Sequence, residues 1–303
     1  MMFRPHGVIP ALVTPLDQNG ELLEQALRDV LDFTIDNGVH GMFVLGSSGE
    51  IYGLSDAQKQ RVVEITVEHV NGRVPIYAGA SEITTRDCIK TARMVQAVGG
   101  VSALSVLTPY FMTPNQSELT EHFTNIAAAT DLPILLYGNE GRTHMKITVE
   151  TTVALSKIDN IIGIKDSSGD MSLMADYIRT TPDDFAVVAG RDTLIYAGLC
   201  HGAVGAIAST ANIAPRLVSE IYNSYVAGDF ARSLELQFAL APLRKALESA
   251  TFPVVLKEGL RLAGVEAGYC LAPAHELSPA LRANLATVIA DIENIPGLVA
   301  QKA

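Results

Sequence analysis

Ile161-Ile162-Gly163-Ile164-Lys165, running on into Asp166-Ser167-Ser168-Gly169-Asp170, is the stretch from which the architecture is read. A short apolar run without clean two-residue alternation suits a strand buried on both faces of a parallel sheet. Such runs recur on either side of it: GVIPALV (7–13), GMFVLG (41–46), VPIYAG (74–79), SALSVL (102–107), LPILLYG (132–138), FAVVAG (185–190) and AVGAIA (203–208). Amphipathic segments fill the gaps. Leu23, Ala26, Leu27, Val30 and Leu31 recur at helical spacing, with Glu24, Arg28 and Asp32 on the other face. Ser55 with Gln58, and Asn115 with Glu118, have the spacing of capping boxes, opening helices that run through Val70 and to near Ala129.

Eight strand–helix units over the first 225 residues or so predict an α/β fold, a closed (β/α)8 TIM barrel. An open doubly wound sheet shares much of the pattern. From about Asp229 the chain reads as three more helices: FARSLELQFALAPLRKALES (230–249), VVLKEGLRLAG (254–264) and SPALRANLATVIADIEN (278–294). No low-complexity linker precedes them. The expected organisation is therefore a barrel over 1–228 with C-terminal helices, 229–303, packed on it.

The chain has 303 residues, 33 of them acidic and 22 basic, for a net charge of -11. That balance, with no cluster of Lys and Arg, argues against nucleic-acid binding. A hydrophobic fraction of 48% excludes intrinsic disorder. Cys88, Cys200 and Cys270 are odd in number and widely spaced, so they read as buried small hydrophobes in a reducing compartment. The N-terminus lacks the features of a signal peptide, and no run approaches ~18 apolar residues. A cytoplasmic protein without a membrane span is expected. No HxH, HExxH or CxxC spacing appears, and neither do dinucleotide, P-loop or GxSxG motifs, so no metal or nucleotide cofactor is expected.

In a barrel of this kind the active site lies at the C-terminal ends of the strands. The turn Gly46-Ser47-Ser48-Gly49-Glu50 can aim backbone N–H groups and hydroxyls at a carboxylate or phosphate, or be an ordinary βα turn. Tyr137 offers a phenol for proton transfer, and Arg142 a fork for a carboxylate; a rim aromatic and a solvated arginine are the plainer alternatives. Lys165 ends a buried run, where a long charged side chain is unusual. Pointing into the barrel mouth, it would be desolvated and could attack a ketone as a free amine. Lowering a lysine pKa from about 10.4 to about 7.5 takes roughly 4 kcal/mol, within reach of a desolvated site only. A lysine paired with a nearby carboxylate is the competing reading. Gly190 and Ile207 would shape the pocket without reacting.

Taken together, IPALVTPLDQNGEL, GSSGE, LTPYF, LLYGNEGRT, GIKDSSGD, the GRD of 190–192 and GAIASTANIAP resemble the dihydrodipicolinate synthase and N-acetylneuraminate lyase family over nearly the whole chain. The resemblance implies a lyase, a pyruvate-dependent class I aldolase needing no cofactor. Lys165 would form an imine with pyruvate and Tyr137 would shuttle protons beside it. Ser47 and Ser48 would hold the pyruvate carboxylate, with Gly190 and Ile207 lining the pocket by their backbones. Arg142 looks like the arginine that receives the carboxylate of aspartate semialdehyde in dihydrodipicolinate synthases. That activity, part of lysine biosynthesis, is the leading expectation. The alternatives are an aldolase or dehydratase of a 2-keto-3-deoxy sugar acid or 4-hydroxy-2-oxo acid, and a catalytically weak keto-acid-binding relative. The family is commonly a homotetramer built from tight dimers. This chain departs from the pattern at Phe111, where the family carries a tyrosine that completes a proton relay across the dimer. It departs again at Gly138-Asn139-Glu140 in place of Asn-x-Pro, at His144 in place of a common glycine, and at Ser48 in place of threonine.

Overall fold

Each of the eight apolar runs contains a strand in the computed structural model, which describes residues 3–298. They are β1 (Gly7–Pro10), β2 (Met42–Val44), β3 (Ile76–Gly79), β4 (Ala103–Leu107), β5 (Ile134–Gly138), β6 (Ile161–Asp166), β7 (Ala186–Ala189) and β8 (Gly205–Ala208). All pair in parallel, in the order β1-β8-β7-β6-β5-β4-β3-β2. The ring closes between its ends, where Ala11 bridges Phe43 and the Leu12 N–H donates to the Phe43 carbonyl at 2.8 Å. Closure removes the open-sheet alternative, because a doubly wound sheet would leave β1 or β2 with an unpaired edge.

The helices form where their local chemistry favours them. Ser55 and Gln58 cap Asp56–Val70 reciprocally, and Asn115 and Glu118 do the same for Gln116–Ala127. The helix Glu24–Asp36 buries Ala26, Leu27, Val30 and Leu31, the stripe its spacing predicts. Two apolar layers result. A small one fills the barrel, with Ile9, Phe43, Tyr77, Leu135, Val188 and Ile207 among its members. A larger one lies between the sheet and the helices. The C-terminal helix Phe230–Ala246 joins that second layer through the fully buried Leu236, Leu240 and Leu243. Gln237 on the same helix accepts from the Tyr196 N–H and donates to the Asp192 carbonyl, both at 2.9 Å. It thereby fastens the appendage to the segment that follows β7. Val254–Leu262 and Pro279–Glu293 complete the chain's helices. No helix of the described residues is long and apolar enough to cross a membrane.

One strand departs from regular pleating, and the departure matters. In β6, Ile161 pairs with Ile134 but Gly163 pairs with Leu135, so Ile162 is an extra residue. Ile162 belongs to the barrel interior. Strict alternation from it would turn Lys165, three residues on, toward the helices. The bulge reverses that parity. Lys165 then stands level with Tyr137 on one side and with the interior residue Val188 on the other. Gly163 is required in this arrangement, since a Cβ there would lie 2.2 Å from the Ala186 carbonyl oxygen.

The cysteines correct one expectation. Cys88 is buried, but Cys200 is exposed and Cys270 half-buried, all three as free thiols. Cys200 lies near the end of Ile195–His201, on the face turned from the core, a placement that side-chain type does not predict.

Candidate active site

Lys165 enters the barrel from the C-terminal end of β6 and is only 4% exposed. Its Nζ lies 3.9 Å from the centre of the Tyr137 ring and 5.3 Å from that of Phe43. No carboxylate of the described residues lies within ion-pairing distance of it, so the strand-capping ion pair is not formed. Its neighbour Asp166 points the other way, as alternation requires, and accepts from the Ser168 N–H at 2.9 Å. Burial holds that carboxyl above the usual carboxylate range.

Tyr137 is buried beside the lysine, and its Oη accepts from Asn139 Nδ2 at 3.0 Å. Burial by itself pushes a phenol pKa up. Here the Lys165 charge and the hydrogen bonds to the oxygen outweigh burial, and the phenol sits below its ordinary value. A phenol that gives up its proton more readily than usual, against an amine, is a pair built to exchange protons.

The Ser47-Ser48 turn follows β2. Leu45 and Glu50, on either side of it, both adopt left-handed backbone conformations, with φ of 56° and 55°. Such strain in non-glycine residues persists only where surrounding structure enforces it. Much of the enforcement comes from Glu50, whose carboxylate is held at 2.7 Å by Lys257 and accepts from the Leu271 N–H at 2.8 Å. The N–H groups of Ser47 and Ser48 donate to no acceptor among the described residues, and both serines border the Lys165 cavity. Free N–H groups at a strained turn are the means by which backbone binds an anion.

Gly190 closes another wall. A Cβ there would lie 2.0 Å from Ser167 Oγ, so only glycine fits beside the β6 turn. Ile207, on β8, is an interior residue 1% exposed. Arg142 sits in the short helix Glu140–Thr143, its guanidinium 4.3 Å over the Phe252 ring. His144 ends that helix with φ 54°, a left-handed position where glycine is the unstrained choice.

All seven residues singled out from the sequence border one cavity of about 540 Å³: Ser47, Ser48, Tyr137, Arg142, Lys165, Gly190 and Ile207. Five further polar or aromatic residues of that wall were given no role: Asn139, Asp192, Arg244, Glu248 and Phe252. Asp192 is buried and accepts from Ser209 Oγ at 3.0 Å and the Thr210 N–H at 2.8 Å, which ties the β7 and β8 ends together. Its place in the GRD motif was a usable signal. Arg244, Glu248 and Phe252 carry none, because they come from the C-terminal appendage rather than from a strand end. Phe111 is 95% exposed with φ 73° and stands outside the cavity wall.

Known proteins with this sequence and shape are consistent among themselves. The model of the dihydrodipicolinate synthetase family matches residues 4–292. A 4-hydroxy-tetrahydrodipicolinate synthase of Methanopyrus kandleri is 40% identical over 267 residues, covering 88% of this chain and 89% of the relative. The crystal structure of a dihydrodipicolinate synthase from Bacillus anthracis superposes with a TM-score of 0.92 at 32% identity, covering 96% of this chain and 99% of that one. A prophage protein of the same family from E. coli K12, solved in complex with pyruvate, gives a TM-score of 0.91 at 27% identity over 95% and 98% of the two chains. With a family match over nearly its full length and a barrel whose mouth holds an unpaired buried lysine, the chain belongs to the dihydrodipicolinate synthetase family.

Proposed function

We propose that the protein is a 4-hydroxy-tetrahydrodipicolinate synthase, a lyase that condenses pyruvate with aspartate semialdehyde by way of an imine on Lys165. The observation that carries this reading is the amine itself: nearly sealed from water, inside the barrel, and facing aromatic rings instead of a carboxylate. Such surroundings disfavour an ammonium and leave an amine able to add to a ketone.

In this mechanism the pyruvate carboxylate rests on the N–H groups and hydroxyls of Ser47 and Ser48, which brings its ketone carbon to Nζ. Addition gives a carbinolamine, and loss of water gives a cationic iminium. The positive nitrogen acidifies the methyl group, and Tyr137, as phenolate, removes one proton. The resulting enamine attacks the aldehyde carbon of the second substrate, forming the new carbon–carbon bond. The aldehyde oxygen takes up a proton from Tyr137. The amino group of the second substrate then displaces Lys165 from the former ketone carbon and closes the ring, which frees the lysine. Arg142 receives the distal carboxylate of that substrate. Phe111 has no hydroxyl to offer, so in our reading the proton path runs through Tyr137 and cavity water, with Asn139 steadying the phenol oxygen.

The protein is read as a cytoplasmic homotetramer, a dimer of dimers. Two exposed apolar surfaces support assembly: Tyr52, Phe111 and Met112 on the rim, and the stripe Val226, Phe230, Leu234 and Phe238.

Borohydride reduction in the presence of pyruvate, followed by peptide mapping, tests the chemistry. A reduced pyruvyl adduct on Lys165 is the expected result; unmodified Lys165 overturns it. Steady-state assays with aspartate semialdehyde against a panel of 2-keto-3-deoxy acids test the second substrate. Turnover confined to the latter would overturn the synthase assignment while keeping the imine.

A further inference from the structure

Arg244 and Glu248 belong to a part of the chain that packs on the outside of the barrel, yet both border the Lys165 cavity. They pair at 3.2 Å between Nη1 and Oε1, and the arginine side chain is 17% exposed against 67% for the glutamate. Arg244 is thus held against the protein while the Glu248 carboxylate reaches into open space. Its second oxygen accepts no hydrogen bond from the described residues. The helix Phe230–Ala246 ends just before Glu248, so the negative end of a helix dipole adds to the carboxylate's own charge. Four residues further on, Phe252 carries the guanidinium of Arg142, which pairs with no carboxylate of the described residues.

The outer wall of the cavity therefore presents a free carboxylate oxygen and a free guanidinium, brought to one place by Glu248 and Phe252. An α-amino acid head bears the complementary ammonium and carboxylate on a single carbon. We propose that Glu248 determines specificity for the second substrate: it accepts a hydrogen bond from the substrate ammonium while Arg142 takes the carboxylate, with Arg244 holding Glu248 in position. This rests on the proposed function above, and it adds the reason why an amino-acid aldehyde is preferred to a simple aldehyde acid. An aldehyde with a distal carboxylate but no ammonium satisfies Arg142 and leaves Glu248 without a partner.

Glu248→Gln tests the proposal, because it keeps shape and removes charge at an exposed position. Aldehyde-dependent pyruvate consumption is measured with aspartate semialdehyde and with succinate semialdehyde, which lacks only the amino group. The substitution should raise KM for aspartate semialdehyde about fivefold, the range for a partly solvated charge-assisted hydrogen bond. KM for succinate semialdehyde, KM for pyruvate and borohydride trapping on Lys165 should stay within about twofold. Equal changes for both aldehydes, or no change for either, would overturn the role of Glu248. Failure of the wild-type protein to trap pyruvate or to use aspartate semialdehyde would instead overturn the proposed function, and this inference with it.

Discussion

Lys165 and Lys257 are both nearly sealed from solvent, at 4% and 1% exposure, and their surroundings are opposite in kind. Lys257, on the appended helix Val254–Leu262, has its Nζ 2.7 Å from a Glu50 carboxylate that is itself 1% exposed, and it also donates to the Tyr269 carbonyl. Lys165 meets the faces of Tyr137 and Phe43 and no acid. Burial alone therefore does not make a lysine reactive. Desolvation disfavours the ammonium at both places, but only beside Lys257 does an opposite charge restore it. One lysine is fitted for chemistry. The other is a strut that holds the last residue of the Gly46–Glu50 turn, and with it the serines expected to bind pyruvate.

The comparison can be broken experimentally. The largest effect should come from Lys165→Ala, which should abolish borohydride trapping and lower kcat by at least about a thousandfold, since a nucleophile has no substitute. Its far-UV circular dichroism should be unchanged; a collapsed fold would make Lys165 the structural lysine instead. Lys257→Met should show the reverse. Leaving Glu50 charged, buried and unpaired should cost about 3–5 kcal/mol, read by urea unfolding. Trapping on Lys165 in the molecules that remain folded should persist. Adding Glu50→Leu should recover part of that loss, because the second change removes the stranded charge.

Tyr137→Phe sharpens the contrast by removing the proton acceptor while keeping the ring against Lys165. It should lower kcat about a hundredfold, less than loss of the lysine, with pyruvate trapping slowed but present. The pH profile gives the sign. A phenol held below its ordinary value supplies the phenolate base from a lower pH upward, so the wild-type rate should climb through a pKa under 10. Tyr137→Phe should lose that limb. The smallest effect is expected from Phe111→Tyr. At 95% exposure in the single chain, it should change unfolding free energy by less than about 0.5 kcal/mol. A rise in kcat without a change in stability would mean that the added hydroxyl reaches a neighbour's site.

Much of this was legible before any coordinates. The eight apolar runs, the two capping boxes and the residues at the strand ends are local features, and their preferences survive into the fold because neighbouring segments agree with them. That is why Ser47, Tyr137, Lys165 and Gly190 could be named as neighbours from strand-end positions alone. Arg244, Glu248 and Phe252 could not, because nothing in a helix's own sequence states which end of the barrel it will cover. Glu50 shows the same limit. Its place in the turn was visible, but its partner is Lys257, on a helix from the far end of the chain.

By itself, then, the order of residues determined the barrel, the family and the candidate chemistry, since these follow from periodicity and from which side chains end each strand. The tertiary structure alone decided which way Lys165 points. Side-chain direction in a strand depends on pleat parity, and parity depends on register with neighbours. The extra residue at Ile162, set against Leu135 and made room for by Gly163, turns the amine inward, whereas Lys257 is neutralised by a carboxylate that only folding brings to it.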